Sequence, residues 1–231
     1  IDALAHLTVD GGLVLIEFHS AQTILDELHY DSIYHEHTMY HSLQTMQRLM
    51  ALAGLQAFDV RRSPISGGSW ALLARKTDSP VQLSADLQDA LDRDRRNGIA
   101  EESVWVDFGS RAVSHRDQLS TDIGRIVDAG KPIVGYGASA RSSTMLNYLG
   151  PVAKNLQAIA DASPLKHGKY SPGVNIPIKS PQAVLDMHPD AILLFAFNFE
   201  DEILDYLRRA GWSGVVVVPF PGDPRVFPIT S

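Results

Sequence analysis

The chain has 231 residues, enough for one or two domains. Hydrophobic residues make up 45% and charged residues 20%, a globular balance that excludes wholesale disorder. A net charge of −7 is a poor match for nucleic acid or an anionic membrane, and the absence of cysteine excludes disulfide scaffolds, thiol nucleophiles and thiolate metal sites.

The longest apolar runs, 191–197 and 215–221, are far below the ~20 residues of a membrane helix. No charged-then-apolar leader opens the chain, so the expected compartment is the cytoplasm. The chain begins at Ile1 rather than Met and is at once in a helix-like pattern, which reads as a fragment.

Leu4 and Leu7 stand at helical spacing before Asp10-Gly11-Gly12. Leu13–Ile16 is a continuous apolar run and reads as a buried strand of a parallel sheet. Residues 19–41 are polar, rich in His and Tyr, and read as a loop with some helix. Ser42 caps a helix closed by Gly54. Strands are expected at 55–60 and 69–74, an antiparallel pair joined by Pro64–Gly68. Thr77-Asp78-Ser79-Pro80 reads as a linker.

Helices follow over about 81–97 and 101–129. From Lys131 the rhythm is strand 132–136, helix 138–149, strand 156–160, an irregular stretch 161–179 and a short helix 181–187. Strand 191–196, helix 199–210 and strand 215–218 complete it. The alternation implies βαβ units on a parallel sheet with helices on both faces.

Three stretches carry chemistry. In Tyr30–His37, with His29 and His41 nearby, four His fall within thirteen positions, interleaved with Tyr34 and Glu36. Histidine transfers protons near neutral pH, a carboxylate orients its ring, and a tyrosine hydroxyl hydrogen-bonds an enolate oxygen. A zinc reading competes, because His35 and His37 share a face of an extended chain. A third ligand is not obvious, with His29 or a carboxylate needed to serve, so no metal site is assigned.

The second stretch, Val134–Arg141, follows an apolar strand and opens a helix. Gly135, Gly137 and Ala140 fit the G-x-G-x-x-G/A spacing, with Ala138 and Ser139 inside it; such a loop cradles a phosphate on helix N–H groups. Asp161, 24 residues after Gly137, stands where an acid binds a ribose hydroxyl. The third stretch, Asp161–Gly173, is a long loop in which Lys166 and Lys169, with Arg141, supply positive charge for a diphosphate; Tyr170 lies among them. A solvated surface loop and a tight turn that binds nothing are the plain alternatives.

Tyr30-Asp31-Ser32-Ile33-Tyr34-His35-Glu36-His37, Ser63–Ser69, Gly135–Thr144 and Asp161–Ile178 together resemble the SAM-dependent C-methyltransferases of nucleotide-linked deoxysugars. The resemblance implies three parts: a small zinc domain, a class I methyltransferase domain that binds SAM, and a C-terminal Rossmann-like domain. Residues 1–77 look like the end of the second part, without its Gly-rich SAM loop, and 78–231 like the complete third. The Glu-His pair of the family falls on Glu36 and His37. It further implies that His37 removes a hydrogen beside the keto group of a nucleotide-diphosphate sugar, such as a dTDP-4-keto sugar, with Glu36 orienting it and Tyr34 stabilising the enolate. The substrate then lies beside Gly135, Gly137, Ala138, Ser139, Arg141, Asp161, Lys166, Lys169 and Tyr170. One departure is Arg141, where many relatives carry Lys; the charge is kept. Two rivals stay open: a Rossmann oxidoreductase using NAD(P) at Gly135–Ala140, and a non-catalytic nucleotide-sugar-binding module.

Overall fold

The computed structural model describes residues 1–230 except Ser79, and every side chain among them except that of Ser66. Ser79, in the expected linker, therefore lies outside the described residues. Two compact units are interleaved along the chain. One comprises Ile1–Asp26 and Thr38–Phe108; the other comprises Glu27–His37 and the chain from Gly109 onward. Two stretches lie across a cut at 77/78: the His-rich stretch 27–37 belongs with the C-terminal unit, and 78–108 with the N-terminal one. Among the described residues, no helix is long and apolar enough to cross a membrane.

The first unit carries helix α1 (Asp2–Leu7), strand β1 (Leu13–His19), helix α2 (Ala21–Asp26), helix α3 (Leu43–Leu52), strand β2 (Leu55–Ser63), strand β3 (Ser69–Lys76) and helix α4 (Ala85–Arg96). Its sheet runs β1-β3-β2 and is antiparallel throughout. The β2/β3 pair is as the sequence implies. The parallel, buried assignment of Leu13–Ile16 is corrected: β1 is an antiparallel edge strand with Leu13 and Leu15 each 61% exposed. An apolar run alone does not tell a strand covered on both faces from one covered on a single face.

One face of this unit buries Leu43, Met46 and Met50 of α3 against Leu55, Val60, Leu72 and Leu87. Two side chains hold the start of α3. Ser42 Oγ accepts from the Thr45 N–H, and Asp94 Oδ2, reaching from α4, accepts from the Leu43 N–H at 2.9 Å. Asp94 is buried, so burial pushes its carboxyl above the usual range while the amides of Leu43 and Gln44 pull it back.

Helix α5 (Glu102–Asp128) crosses from one unit into the other. The second unit continues with strand β4 (Ile133–Tyr136), helix α6 (Ala140–Leu149), strand β5 (Leu156–Ala160), strand β6 (Ile178–Lys179), helix α7 (Pro181–Leu185), strand β7 (Ala191–Leu194), helix α8 (Glu200–Arg209), strand β8 (Gly214–Val218) and strand β9 (Arg225–Ile229). The sheet order is β6-β5-β4-β7-β8-β9, parallel except for β9, which pairs antiparallel with β8. This is a Rossmann-like sheet flanked by helices. All four residues of β4 and of β7 are buried, as a covered parallel sheet demands. The sequence did not reveal β6 or β9. The first is two residues long, and the second carries Pro228, which an edge strand tolerates.

The turn after β4 is shaped by packing. A Cβ on Gly135 would stand 2.6 Å from the Phe195 ring. Gly137 has φ +100°, and a Cβ there would meet the Ala196 Cβ at 2.7 Å and its backbone nitrogen at 2.9 Å.

Two outcomes follow from these contacts. For Asp94, between the ordinary carboxylate range and its raised value the native state holds a proton that the unfolded chain has released, so stability falls as pH rises through that window. Asp94→Asn keeps an oxygen acceptor and flattens this dependence, whereas Asp94→Ala strands the Leu43 amide and costs about 1–2 kcal/mol; denaturant titrations between about pH 4 and 7 read both. Gly137→Ala combines a disfavoured φ with a backbone clash and lowers stability by about 1–3 kcal/mol without any ligand present, measured as a shift in Tm.

Candidate active site

The arm formed by Glu27–His37 is tied into the second unit by buried polar contacts. Tyr30, Asp31 and Ser32 form a single 3₁₀ turn and are 6%, 1% and 0% exposed. Tyr30 packs edge-on against His115 of α5, Tyr148 of α6 and Phe220. His115 Nε2 lies 2.7 Å from the Pro219 carbonyl, which can only accept, so Nε2 carries the proton and Nδ1 accepts from the Tyr30 hydroxyl at 3.0 Å. Burial lowers the pKa of His115 and raises that of Tyr30, which keeps both neutral.

Asp31 meets Arg141 in the first turn of α6. Arg141 Nε donates to Oδ2 at 2.8 Å and its Nη2 to Oδ1 at 2.9 Å, a forked pair, while the guanidinium carbon lies 4.7 Å from the centre of the Phe197 ring. Burial raises the Asp31 carboxyl, and Arg141 is the chief influence opposing it. In this structure the fork of Arg141, which the sequence reading offers to a diphosphate, faces a carboxylate of its own chain.

His37 is held by the same arm. Its Nδ1 lies 2.9 Å from the Ser32 carbonyl oxygen and therefore carries the proton. In the neutral ring Nε2 is then the acceptor for the Tyr34 hydroxyl, 2.8 Å away, and the two rings stand 4.1 Å apart. Tyr34 and His37, each named from the sequence for a separate role, are thus in direct contact. Glu36 is exposed, and the two ring nitrogens of His37 face Ser32 and Tyr34. Among the described residues, no group of three or more His, Asp or Glu stands where it could hold a metal ion.

The Gly135–Gly137 turn is closed by its own neighbours. Gly137 N–H donates to the Ala160 carbonyl, and Ala138 N–H donates to Asp161 Oδ2 at 2.8 Å. Asp161 Oδ1 accepts from the Ser163 N–H, and Lys166 Nζ reaches both Asp161 Oδ2 and the Ala138 carbonyl. Asp161 therefore organises the loop rather than offering its carboxylate to a ribose. The acid and two of the amides that a dinucleotide or SAM cradle would use are engaged within the chain, so the residues present do not fit a SAM or NAD(P) site.

Beside this turn lies a cavity of about 450 Å³. Ala138, Ser139 and Lys166, expected from the sequence, line it; Gly135, Gly137, Arg141, Asp161, Lys169 and Tyr170 do not. Ala140 of the glycine fingerprint, Ser171 and Pro172 of the long loop, and Ser143 and Ile178 complete the wall. The wall beyond α6 is fixed by Asn147, whose Nδ2 donates to the Ser143 and Pro172 carbonyls. Lys169 and Tyr170 are exposed.

The chain is 31% identical to the C-methyltransferase NovU of Streptomyces niveus over 235 aligned positions, which cover 100% of this chain and 55% of that protein. It thus spans about half the length of the curated relative that it matches. Residues 64–221 match the family model of the C-methyltransferase C-terminal domain, well over half of the chain and nearly all of the Rossmann-like sheet. On that match, joined to the fold and to the arm built on it, the chain belongs to the C-methyltransferase C-terminal domain family.

Proposed function

We propose that this chain is the C-terminal part of a C-methyltransferase that acts on a carbon beside the keto group of a nucleotide-linked 4-keto-deoxysugar, its residues 1–77 continuing a SAM-binding domain and 78–231 forming the C-terminal domain. The observation that carries this reading is the His37 ring, fixed in one tautomer by the Ser32 carbonyl with Nε2 directed to a tyrosine hydroxyl. A base of this kind suits the carbon acid of a ketone. Nε2 takes the α-hydrogen as a proton, the C–H electron pair forms the new C=C bond, and the carbonyl π pair moves to oxygen. The Tyr34 hydroxyl leaves Nε2 and donates to that oxygen, which frees the lone pair for the incoming proton. The orienting part belongs to Ser32 rather than to Glu36. Holding SAM for the methyl transfer that follows is the task of the domain that residues 1–77 continue. A dTDP-type diphosphate fits beside the cavity at the start of α6, with the Lys166 ammonium as its cation.

The test is exchange of the sugar's α-hydrogen with solvent deuterium in the full-length enzyme, which separates proton abstraction from alkylation. His37→Ala slows exchange by at least ~100-fold, the low end of what a positioned base supplies. Tyr34→Phe slows it about tenfold, because water replaces part of one hydrogen bond, and Glu36→Gln changes it least. Wild-type exchange in His37→Ala would remove His37 as the base. Calorimetry with dTDP reads the second element: Lys166→Ala weakens binding about tenfold or more, the worth of one charge-assisted bond, and unchanged affinity would place the diphosphate elsewhere.

A further inference from the structure

We propose that Asp31 and Arg141 are positioning residues for proton abstraction: their buried ion pair fixes the 30–32 turn to the first turn of α6 and so sets where His37 Nε2 stands. The inference rests on the reading of His37 as the base.

The connection is short. Arg141 holds both carboxylate oxygens of Asp31. The next residue, Ser32, presents the carbonyl that takes the His37 Nδ1 proton. That bond decides the tautomer, and the tautomer decides that Nε2 carries the lone pair. A displacement of Asp31 therefore moves the acceptor that sets the base. The preceding residue is fixed as well, since Tyr30 bonds His115 on α5. Two consecutive buried residues, Tyr30 and Asp31, are thus pinned by groups from two helices, and the buried Ser32 and the exposed end of the arm, with His35 and Glu36, follow from them.

A buried ion pair is a poor way to add stability, since apolar residues of the same volume often serve as well or better. It is a good way to enforce one placement, because a forked guanidinium–carboxylate match tolerates little sliding. Arg141 is held in turn by its contact with the Phe197 ring, so the fork is fixed from both sides. This gives the helix that follows the Gly-x-Gly turn a use other than holding phosphate: its first turn fastens the arm that carries the base.

The experiment reads His37 directly and does not depend on turnover. In ¹⁵N spectra selective for histidine rings, the wild-type chain shows His37 as the Nδ1–H tautomer. Arg141→Met and Asp31→Asn turn this into a mixture of tautomers, and in the full-length enzyme acting on a dTDP-4-keto-6-deoxyhexose kcat falls on the order of 100-fold with KM little changed, the scale of a misplacement of about 1 Å. Arg141→Lys keeps the charge but not the fork, and restores both signals only in part. If a single variant does not fold, the double variant Asp31→Asn/Arg141→Met leaves no uncompensated buried charge and carries the same expectation. An unchanged tautomer and kcat beside a lowered Tm would show a purely structural pair and overturn the proposal. A raised KM with kcat unchanged would make Arg141 a substrate contact and overturn it too. Normal exchange in His37→Ala, with the tautomer still lost in Arg141→Met, would instead defeat the base assignment and leave the positioning contact standing.

Discussion

Taking a carboxylate out of water costs several kcal/mol unless a cation and hydrogen-bond donors replace the solvent. At Asp31 the Arg141 guanidinium supplies both, through two bonds of 2.8 and 2.9 Å. Much of the C-terminal unit is arranged to let that happen. The Gly137 turn brings the chain from β4 into α6, Ser139 and Ser142 cap the helix reciprocally, and Arg141 leaves its first turn toward the arm. Phe197, at the end of the neighbouring β7 connection, closes over the guanidinium. Each of these features has an explanation in packing and charge that calls on no bound nucleotide.

That changes what the glycine pattern means. The spacing of Gly135, Gly137 and Ala140 is the one that dinucleotide enzymes use for close approach to a pyrophosphate. In this chain the close approach is to the protein itself, to Phe195 and Ala196 just past the end of the adjacent β7. Asp161, the residue at ribose-binding distance along the sequence, spends its oxygens on Ala138, Ser163 and Lys166. A fold can keep the steric signature of a binding loop while the polar groups that made it a binding loop turn inward.

The sheet of the C-terminal unit was legible because β4, β7 and β8 are apolar runs and β5 is interrupted only by Gln157, with helices between them, and Ser139, Gly130 and Gly54 mark boundaries by their own chemistry. Strand β1 misled because Leu13 and Leu15 are apolar yet exposed. Of the site, Tyr34 and His37 were marked by residue type, but not their hydrogen bond to each other. The role of Ser32 could not be read, because it acts through a backbone carbonyl that every residue possesses. Arg141 looked like a phosphate ligand because its partner stands 110 positions away, and a single sequence carries no sign of which distant charge a cation will meet.

The arm that carries His37 reaches the C-terminal unit long before the rest of that unit exists. During synthesis residues 27–37 emerge after 1–26 of the other unit, then some seventy more residues of that unit follow, and only afterwards β4 and α6. Until Arg141 is made, Asp31 has no guanidinium to meet and stays in water, and the loop that must close to join them is long, with the entropy that such closure entails. The buried pair that fastens the His37 arm therefore closes late in folding. A break between 37 and 109 would leave the Rossmann-like sheet intact in covalent terms while turning its histidine arm into a separate ligand, to be recaptured by one buried ion pair and a ring of aromatic contacts.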